Sequence, residues 1–197
     1  YGRSKEALER AALALHARGD LSATIVRAPW FYGPGQPARQ TLFFTMIKEG
    51  RAPVVGDGEN RRSMAFVDDL ARALTLAADS PKAPGRVYWI SDARPYSWNE
   101  ILDTVARVLA RDFKMTVKPG RLRLPALAGD LAALADAALQ SVGLYHQKIH
   151  VLSEMNKTIA CSVEKARREL GYRPGIALEE GMRRSLKWLE TQGVRFA

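Results

Sequence analysis

The chain has almost no cysteine and no long hydrophobic run. Cys161 is the only cysteine among 197 residues, so an internal disulfide is excluded, and a lone thiol gives little reason to expect a catalytic cysteine. No stretch approaches the roughly 20 consecutive apolar residues that a membrane-spanning helix requires. The N-terminus also lacks the basic and apolar pattern of a signal peptide. We therefore expect a cytoplasmic protein without a membrane span.

Acidic residues are also in deficit, with 21 Asp and Glu against 30 Lys and Arg, which gives a formal net charge of +9. Such an excess is compatible with a nucleic-acid partner, an anionic substrate or an unbalanced piece of a larger protein. The basic residues are spread through amphipathic segments such as EKARREL and EEGMRRSLKW, which is typical of solvated helix faces. We expect a small-molecule substrate and no nucleic-acid partner.

The first twenty residues have the pattern of a complete helix. Leu8 and Leu15 belong to its apolar stripe, and Gly19 suits the left-handed position that ends a helix. The chain begins at Tyr1, within this helix, which indicates that it starts inside a longer protein. The two leucines face either a core or the interface of a possible homodimer.

Strand and helix patterns alternate over residues 1–110. The β-branched segment LSATIVRA leads into the turn-forming PWFYGPG, and the short strand APVVG follows the helical PARQTLFFTMIKE. A helix is predicted from near Phe66 and a strand over RVYWIS. Ser97 and Glu100 form a capping box, which predicts the start of another helix. This alternation indicates an α/β protein with a mainly parallel sheet.

The pattern changes at about residue 111. A basic, strand-like piece, FKMTVKPGRLRL, precedes the Ala/Leu-rich LPALAGDLAALADAALQSVG, and helices are predicted near 162–170 and 178–192. We expect residues 111–197 to form an appended and mostly helical subdomain.

Tyr1 and Lys5 lie four residues apart, so their side chains project from one face of the first helix. An ammonium group beside a phenol stabilises the phenolate and lowers a pKa that is about 10 in solution. The tyrosine then acts as a general acid or base toward an alcohol or a ketone. The spacing alone is weak support, because it occurs often by chance.

Four further segments follow in order: VRAPWFYGPG, VVGDGENRRSMAFVDDLARAL, SVEKARRELGYRP and LEEGMRRSLKW. Together with the YxxxK spacing of Tyr1 and Lys5, they resemble the extended short-chain dehydrogenase/reductase family, which includes sugar epimerases, dehydratases and 3β-hydroxysteroid dehydrogenases. The resemblance covers essentially the whole chain and is weakest over 111–160. It implies the C-terminal part of an NAD(P)-binding, Rossmann-like, doubly wound fold over 1–110, with a substrate-loop insertion at about 34–64, followed by a mostly helical substrate-binding subdomain over 111–197.

The resemblance assigns roles to residues near Tyr1. Tyr1 is implied as the proton donor or acceptor, and Lys5 as the residue that binds the nicotinamide ribose and lowers the tyrosine pKa. The backbone of Pro29, Trp30 and Phe31 is implied to line the nicotinamide of NAD or NADP. A rigid turn at PWFYGPG is the structural alternative.

Other residues are implied to bind the substrate. Arg62 matches the arginine that binds the diphosphate in nucleotide-sugar members, a task that suits a planar guanidinium. Arg61 is a neighbouring candidate, and Val55 and Gly56 precede the GDG loop. An exposed arginine without a ligand is the alternative, since hydroxysteroid-type relatives can lack this residue.

The family's Gly-rich phosphate turn and its catalytic Ser or Thr are missing from the chain, so the N-terminal dinucleotide-binding half is absent and the chain alone is expected to be inactive. The choice between NAD and NADP depends on that half. Three functions stay open: a nucleotide-sugar oxidoreductase or epimerase, a dehydrogenase of an apolar alcohol in which the Ala/Leu-rich segment 124–143 walls the pocket, and a non-catalytic binding module. His146, His150 and Glu154 have a spacing compatible with zinc, but they lack a metallohydrolase signature, and we expect no metal.

Overall fold

The computed structural model describes residues 2–141 and 143–194. Its helices are α1 (Gly2–Ala17), α2 (Ala38–Lys48), α3 (Val67–Asp79), α4 (Trp98–Asp112), α5 (Ala126–Ser141), α6 (Gln147–Glu154), α7 (Glu164–Leu170) and α8 (Leu178–Thr191). Its strands are β1 (Ile25–Arg27), β2 (Trp30–Tyr32), β3 (Pro53–Val55), β4 (Arg61–Arg62), β5 (Met64–Phe66), β6 (Val87–Trp89), β7 (Tyr96–Ser97) and β8 (Leu122–Leu124). Within these ranges, no helix is long and apolar enough to cross a membrane.

Strand pairing is mainly parallel. β1 pairs with β6, β2 with β5 and β3 with β8 in parallel, whereas β4 and β7 are antiparallel. This confirms the predicted α/β class. The strands are shorter than their sequence patterns: LSATIVRA contributes three strand residues and the basic segment after 111 contributes only Leu122–Leu124.

The larger hydrophobic core joins β2, β3 and β5 to three helices. Phe44 of α2, Ile101 of α4 and Leu186 of α8 are all buried in it together with Phe66. A second core forms around Tyr88 of β6 and includes residues of α3 and α7. The predicted helices near 162–170 and 178–192 therefore exist, and they pack in the same cores as elements from residues 1–110.

Helix α4 begins where the capping box predicts. Its N-cap residue is Ser97, whose side-chain oxygen accepts a hydrogen bond of 3.1 Å from the backbone N–H of Glu100. The carboxylate of Glu100 binds Arg94. The cap accepts a hydrogen bond from one of the first N–H groups of α4. It therefore fixes the start of this helix, which contributes several buried residues to the larger core.

Candidate active site

Helix α1 is aligned with β1 by an ion pair between Glu9 and Arg27. The Nε of Arg27 donates to the Glu9 carboxylate at 2.9 and 3.1 Å, and this bonding lowers the pKa of Glu9. Further along the helix, Nδ1 of His16 lies 3.1 Å from the carbonyl oxygen of Leu21, before β1 begins. The helix therefore runs antiparallel to the strand.

This direction determines where the first turn of α1 lies. Lys5 precedes Glu9 by one turn, about 6 Å along the helix axis, so it extends past the end of β1 toward Pro29. Its side chain is exposed. Tyr1, the predicted partner of Lys5, lies outside the described residues, and the Tyr1–Lys5 pair stays a sequence prediction.

The segment that leaves β1 presents two different faces. The ring of Trp30 packs against Phe43 and Trp98, with centroids 5.4 and 5.9 Å apart, and Tyr32 is buried in the same core. Phe31 points to the other side and is 47% exposed, while its carbonyl accepts a 3.0 Å hydrogen bond from Gln40. An exposed aromatic ring on a fixed backbone can line a flat ligand at this edge.

The turn after β2 requires a glycine at position 33. Gly33 has a φ of +137°, and a Cβ atom there would lie 2.5 Å from Cγ1 of Val67. Only a residue without a side chain fits so close to the first turn of α3. The close approach of Gly33 to Val67 therefore restricts the conformation of the turn.

A buried aspartate, which our sequence analysis missed, lies beneath this turn. Asp92 accepts hydrogen bonds from the Tyr32 hydroxyl at 2.9 Å and from the backbone N–H of Phe66 at 3.2 Å. Burial raises the pKa of Asp92 to about 6, against the opposing effect of these hydrogen bonds. The only sequence signal was a polar pair, Ser91 and Asp92, directly after a strand.

Arg62 is the last residue of β4 and contacts the end of α6. One of its terminal nitrogens donates to the carbonyl oxygen of Glu154, while its Nε is buried and has no hydrogen-bond partner. Desolvation lowers the pKa of Arg62. The neighbouring Arg61 has an exposed side chain, so the two predicted arginines differ in accessibility.

The other two predicted substrate residues lie at β3. Val55 is 1% exposed and belongs to the larger core, so its side chain packs in the protein interior. The backbone N–H of Gly56 donates to the carbonyl oxygen of Leu124 just before α5. Gly56 and Arg62 thus border the same helical pair, the first at the start of α5 and the second at the end of α6.

Histidine and acidic side chains hold this helical pair together. Nδ1 of His150 lies 2.8 Å from Oδ2 of Asp136, and its Nε2 lies 3.7 Å from Glu154. His146 is the N-cap of α6. Among the residues that the structure describes, no group of three or more His, Cys, Asp or Glu could hold a metal ion.

Three of the four leucines of α5 face solvent. Leu127, Leu131 and Leu134 are all more than half exposed, so they do not form a wall around an enclosed pocket in the described structure. A cavity of about 230 Å³ lies elsewhere, beside α4 and residues 117–121, and no predicted site residue lines it.

Comparison with known proteins agrees with the geometry. Residues 1–91 match the model of the NAD dependent epimerase/dehydratase family. The whole chain is 56% identical to the uncharacterized protein y4nL of Sinorhizobium fredii and covers 55% of it. It is 24% identical to 3beta-hydroxysteroid-dehydrogenase/decarboxylase isoform 1 of Arabidopsis thaliana, with 94% of the chain and 44% of the relative covered.

Solved structures show the same fold. UDP-glucose 4-epimerase of Thermotoga maritima, determined with UDP-glucose, is similar with a TM-score of 0.72 at 20% identity, and the match covers 98% of this chain and 54% of that one. The chain spans about half the length of the relatives that it matches.

Proposed function

We propose that the chain is part of an extended short-chain dehydrogenase/reductase, to whose members it is similar, and that it supplies the catalytic tyrosine and lysine and part of the substrate site of an NAD(P)-dependent oxidoreductase or epimerase. The observation that carries the proposal is the Glu9–Arg27 ion pair, which directs the first turn of α1 past the end of β1. Lys5 and the segment from Pro29 to Phe31 thereby border one edge of the fold.

The proposed chemistry starts at the hydroxyl of a carbinol carbon. Tyr1 takes the hydroxyl proton, and the ammonium of Lys5 favours the phenolate that accepts it. When bound, NAD(P) supplies the acceptor for the hydride from the same carbon. In the reverse direction Tyr1 returns the proton to the oxygen of the ketone.

The described residues fit the nicotinamide end of the cofactor. Phe31 is partly exposed beside two inward-facing aromatic neighbours, which leaves an apolar face next to Lys5 for a flat ring. Lys5 and the backbone of Pro29, Trp30 and Phe31 would hold this end. The phosphate end needs a Gly-rich turn at a helix N-terminus, which the sequence of this chain lacks.

We propose a nucleotide-linked sugar as the substrate. Arg62 supports this class, because a half-buried guanidinium with an unpartnered Nε has capacity for a diphosphate. Gly56 and Arg61 are adjacent positions for the rest of the ligand, whereas the side chain of Val55 is packed in the larger core. The similarity to a hydroxysteroid dehydrogenase favours an apolar alcohol instead, but three of the four leucines of α5 face outward in the described structure.

Turnover by the full-length protein tests the proposal. We expect Tyr1→Phe to reduce kcat by at least about 100-fold, measured by the absorbance of the reduced nicotinamide for net oxidation or by chromatography of the sugar product for epimerisation. Arg62→Ala should raise KM for UDP-, dTDP- or GDP-linked hexoses by about tenfold or more. Arg51→Ala, which removes an exposed arginine before β3, serves as the control.

Two results would contradict the proposal. Full activity of the Tyr1→Phe variant would exclude Tyr1 as the acid or base. Turnover of a hydroxysteroid by the wild type, with no effect of Arg62→Ala and no activity on any nucleotide-sugar, would replace the proposed substrate class by an apolar alcohol.

A further inference from the structure

Arg27, the last residue of β1, is held by two different contacts. Its Nε donates to the Glu9 carboxylate at 2.9 and 3.1 Å, and one of its terminal nitrogens binds the same carboxylate. Its Cζ atom also lies 5.2 Å from the ring centroid of Trp89, its register partner on β6. Both a bidentate ion pair and a cation–π contact suit the planar guanidinium. Arg27 therefore connects Glu9 of α1 to both strands of the β1–β6 pair.

Polar contacts set the position of α1 in the described structure, since no residue of this helix is buried there. The Glu9–Arg27 pair anchors its first half, and near its end Nδ1 of His16 lies 3.1 Å from the carbonyl oxygen of Leu21. The side chains of Glu9 and Arg27 are 24% and 39% exposed, so their ion pair is screened less than a fully exposed one. Loss of the pair should loosen the half of the helix that carries Lys5.

Glu9 also lies one helical turn after Lys5. Residues four apart share a face of a helix, where a carboxylate and an ammonium can pair. In the structure the Glu9 carboxylate is bound by Arg27, and this hydrogen bonding lowers the pKa of Glu9. The neighbouring carboxylate, Glu6, pairs with Arg10 at 3.7 Å. Both carboxylates near Lys5 along the helix are thus compensated by an arginine.

We propose that Glu9 and Arg27 are positioning residues of the active site. Their ion pair fixes the first turn of α1 at the end of β1, and it keeps the Glu9 carboxylate from drawing the Lys5 ammonium away from Tyr1. This inference rests on the proposed function, in which that ammonium stabilises the Tyr1 phenolate. Without Arg27, the Glu9 carboxylate is uncompensated and competes with the phenolate for the ammonium. Without both charges, the helix loses an anchor but the competition is absent.

Three variants of the full-length protein separate these two effects: Arg27→Met, Glu9→Gln and the double variant. The probes are UDP-, dTDP- and GDP-linked hexoses with NAD+ or NADP+, and the pH profile of kcat/KM is measured for the preferred one. The acid limb of this profile, where kcat/KM rises with pH, reports the ionisation of the general base in the free enzyme.

We expect Arg27→Met to move the acid limb to higher pH by about one unit and to lower kcat by about tenfold. The reason is that an ammonium within about 4–6 Å of an acid lowers its pKa by about one to three units, and Lys5 is partly withdrawn from Tyr1 in this variant. KM should stay within about twofold of the wild-type value, because the lost interaction acts on the base and does not bind the substrate.

The other variants should keep the wild-type acid limb. Glu9→Gln and the double variant leave no uncompensated carboxylate one turn from Lys5, and we expect kcat to fall by only about threefold through the loosened helix. Arg27→Lys keeps the compensating charge without the planar fork. Arg10→Met removes an exposed ion pair from another face of the same helix. It is the matched control and should keep both the limb and kcat.

The outcomes separate this inference from the function on which it rests. A wild type that turns over none of the probes, or full activity of Tyr1→Phe, overturns the proposed function and this inference with it. If the wild type works through Tyr1 and Arg27→Met keeps its acid limb, only the positioning role is overturned, and a lower Tm then assigns the pair to the stability of α1. An equal shift of the limb in Arg27→Met and the double variant overturns it too, because Glu9 is then no competitor. Arg27→Gln also leaves Glu9 uncompensated, and it takes the place of Arg27→Met if that variant does not fold.

Discussion

At the scale of single residues, the most consequential side chain outside the predicted set is Asp92. Its carboxylate connects the hydroxyl of Tyr32 and the backbone of Phe66 to the segment after β6. It therefore fixes β2, and with it the start of the turn at Gly33. Asp92 is 1% exposed, so its carboxyl group is desolvated, and this raises its pKa.

The raised pKa of Asp92 predicts a pH-dependent stability. Since its pKa is about 6 in the folded protein against an ordinary value of 3.8, the folded state binds more protons between these values. Asp92 should therefore contribute a fall of about 1–3 kcal/mol in the free energy of unfolding as pH rises from about 4 to 6, whereas carboxylates with a lowered pKa, such as Glu180, contribute the opposite slope. Denaturant titrations at several pH values measure this slope.

Substitution of the same residue checks the assignment. Asp92→Asn has no titratable group, so its stability should lack this slope, whereas the exposed Asp79→Asn should keep it. An identical slope in wild type and Asp92→Asn would show that another group causes the pH dependence.

The sequence revealed some of these residues and concealed others for a physical reason. Lys5 and Arg62 stand within short motifs whose spacing is visible along the chain. Asp92 and Tyr32 are 60 residues apart, and their contact exists only after the strands pair.

At the scale of elements, periodicity predicted helices better than strands. Helix α4 combines a strong apolar face with a side-chain cap, and both signals are local. The strands are two or three residues long, so their alternation is too brief to set their bounds. Their pairing was expected only as mainly parallel, and the register follows from tertiary contacts.

The cap of α4 gives a prediction at this scale. Ser97→Ala removes the acceptor for the N–H of Glu100, and we expect it to lower the free energy of unfolding by about 1 kcal/mol. Ser97→Asn should restore most of the loss, since asparagine is also a favoured N-cap. Thermal or chemical denaturation measures both, and equal stability of wild type and Ser97→Ala would contradict the role of the cap.

At the scale of the whole molecule, the proposed site is incomplete within the described residues. Helix α1 has no buried residue, and Leu8 is 63% exposed, although the helix carries Lys5 and is held by an ion pair to β1. The relatives are about twice as long as the chain. A dinucleotide-binding half packed beside α1 would cover these apolar side chains and supply the phosphate turn.

Dinucleotide binding tests this arrangement. We expect the 197-residue chain, with a mass of 21.8 kDa, to bind neither NAD+ nor NADP+ in calorimetric titrations, because it lacks the phosphate-binding turn. A polypeptide that is longer by an N-terminal domain of roughly 100–200 residues should bind one of them, and intact mass spectrometry of the protein from its native source shows whether that domain is present. Tight binding of NAD+ by the 197-residue chain alone would mean that residues 2–194 contain a phosphate site that does not depend on a Gly-rich turn, and Lys5, Arg61 and Arg62 would be the first positions to substitute.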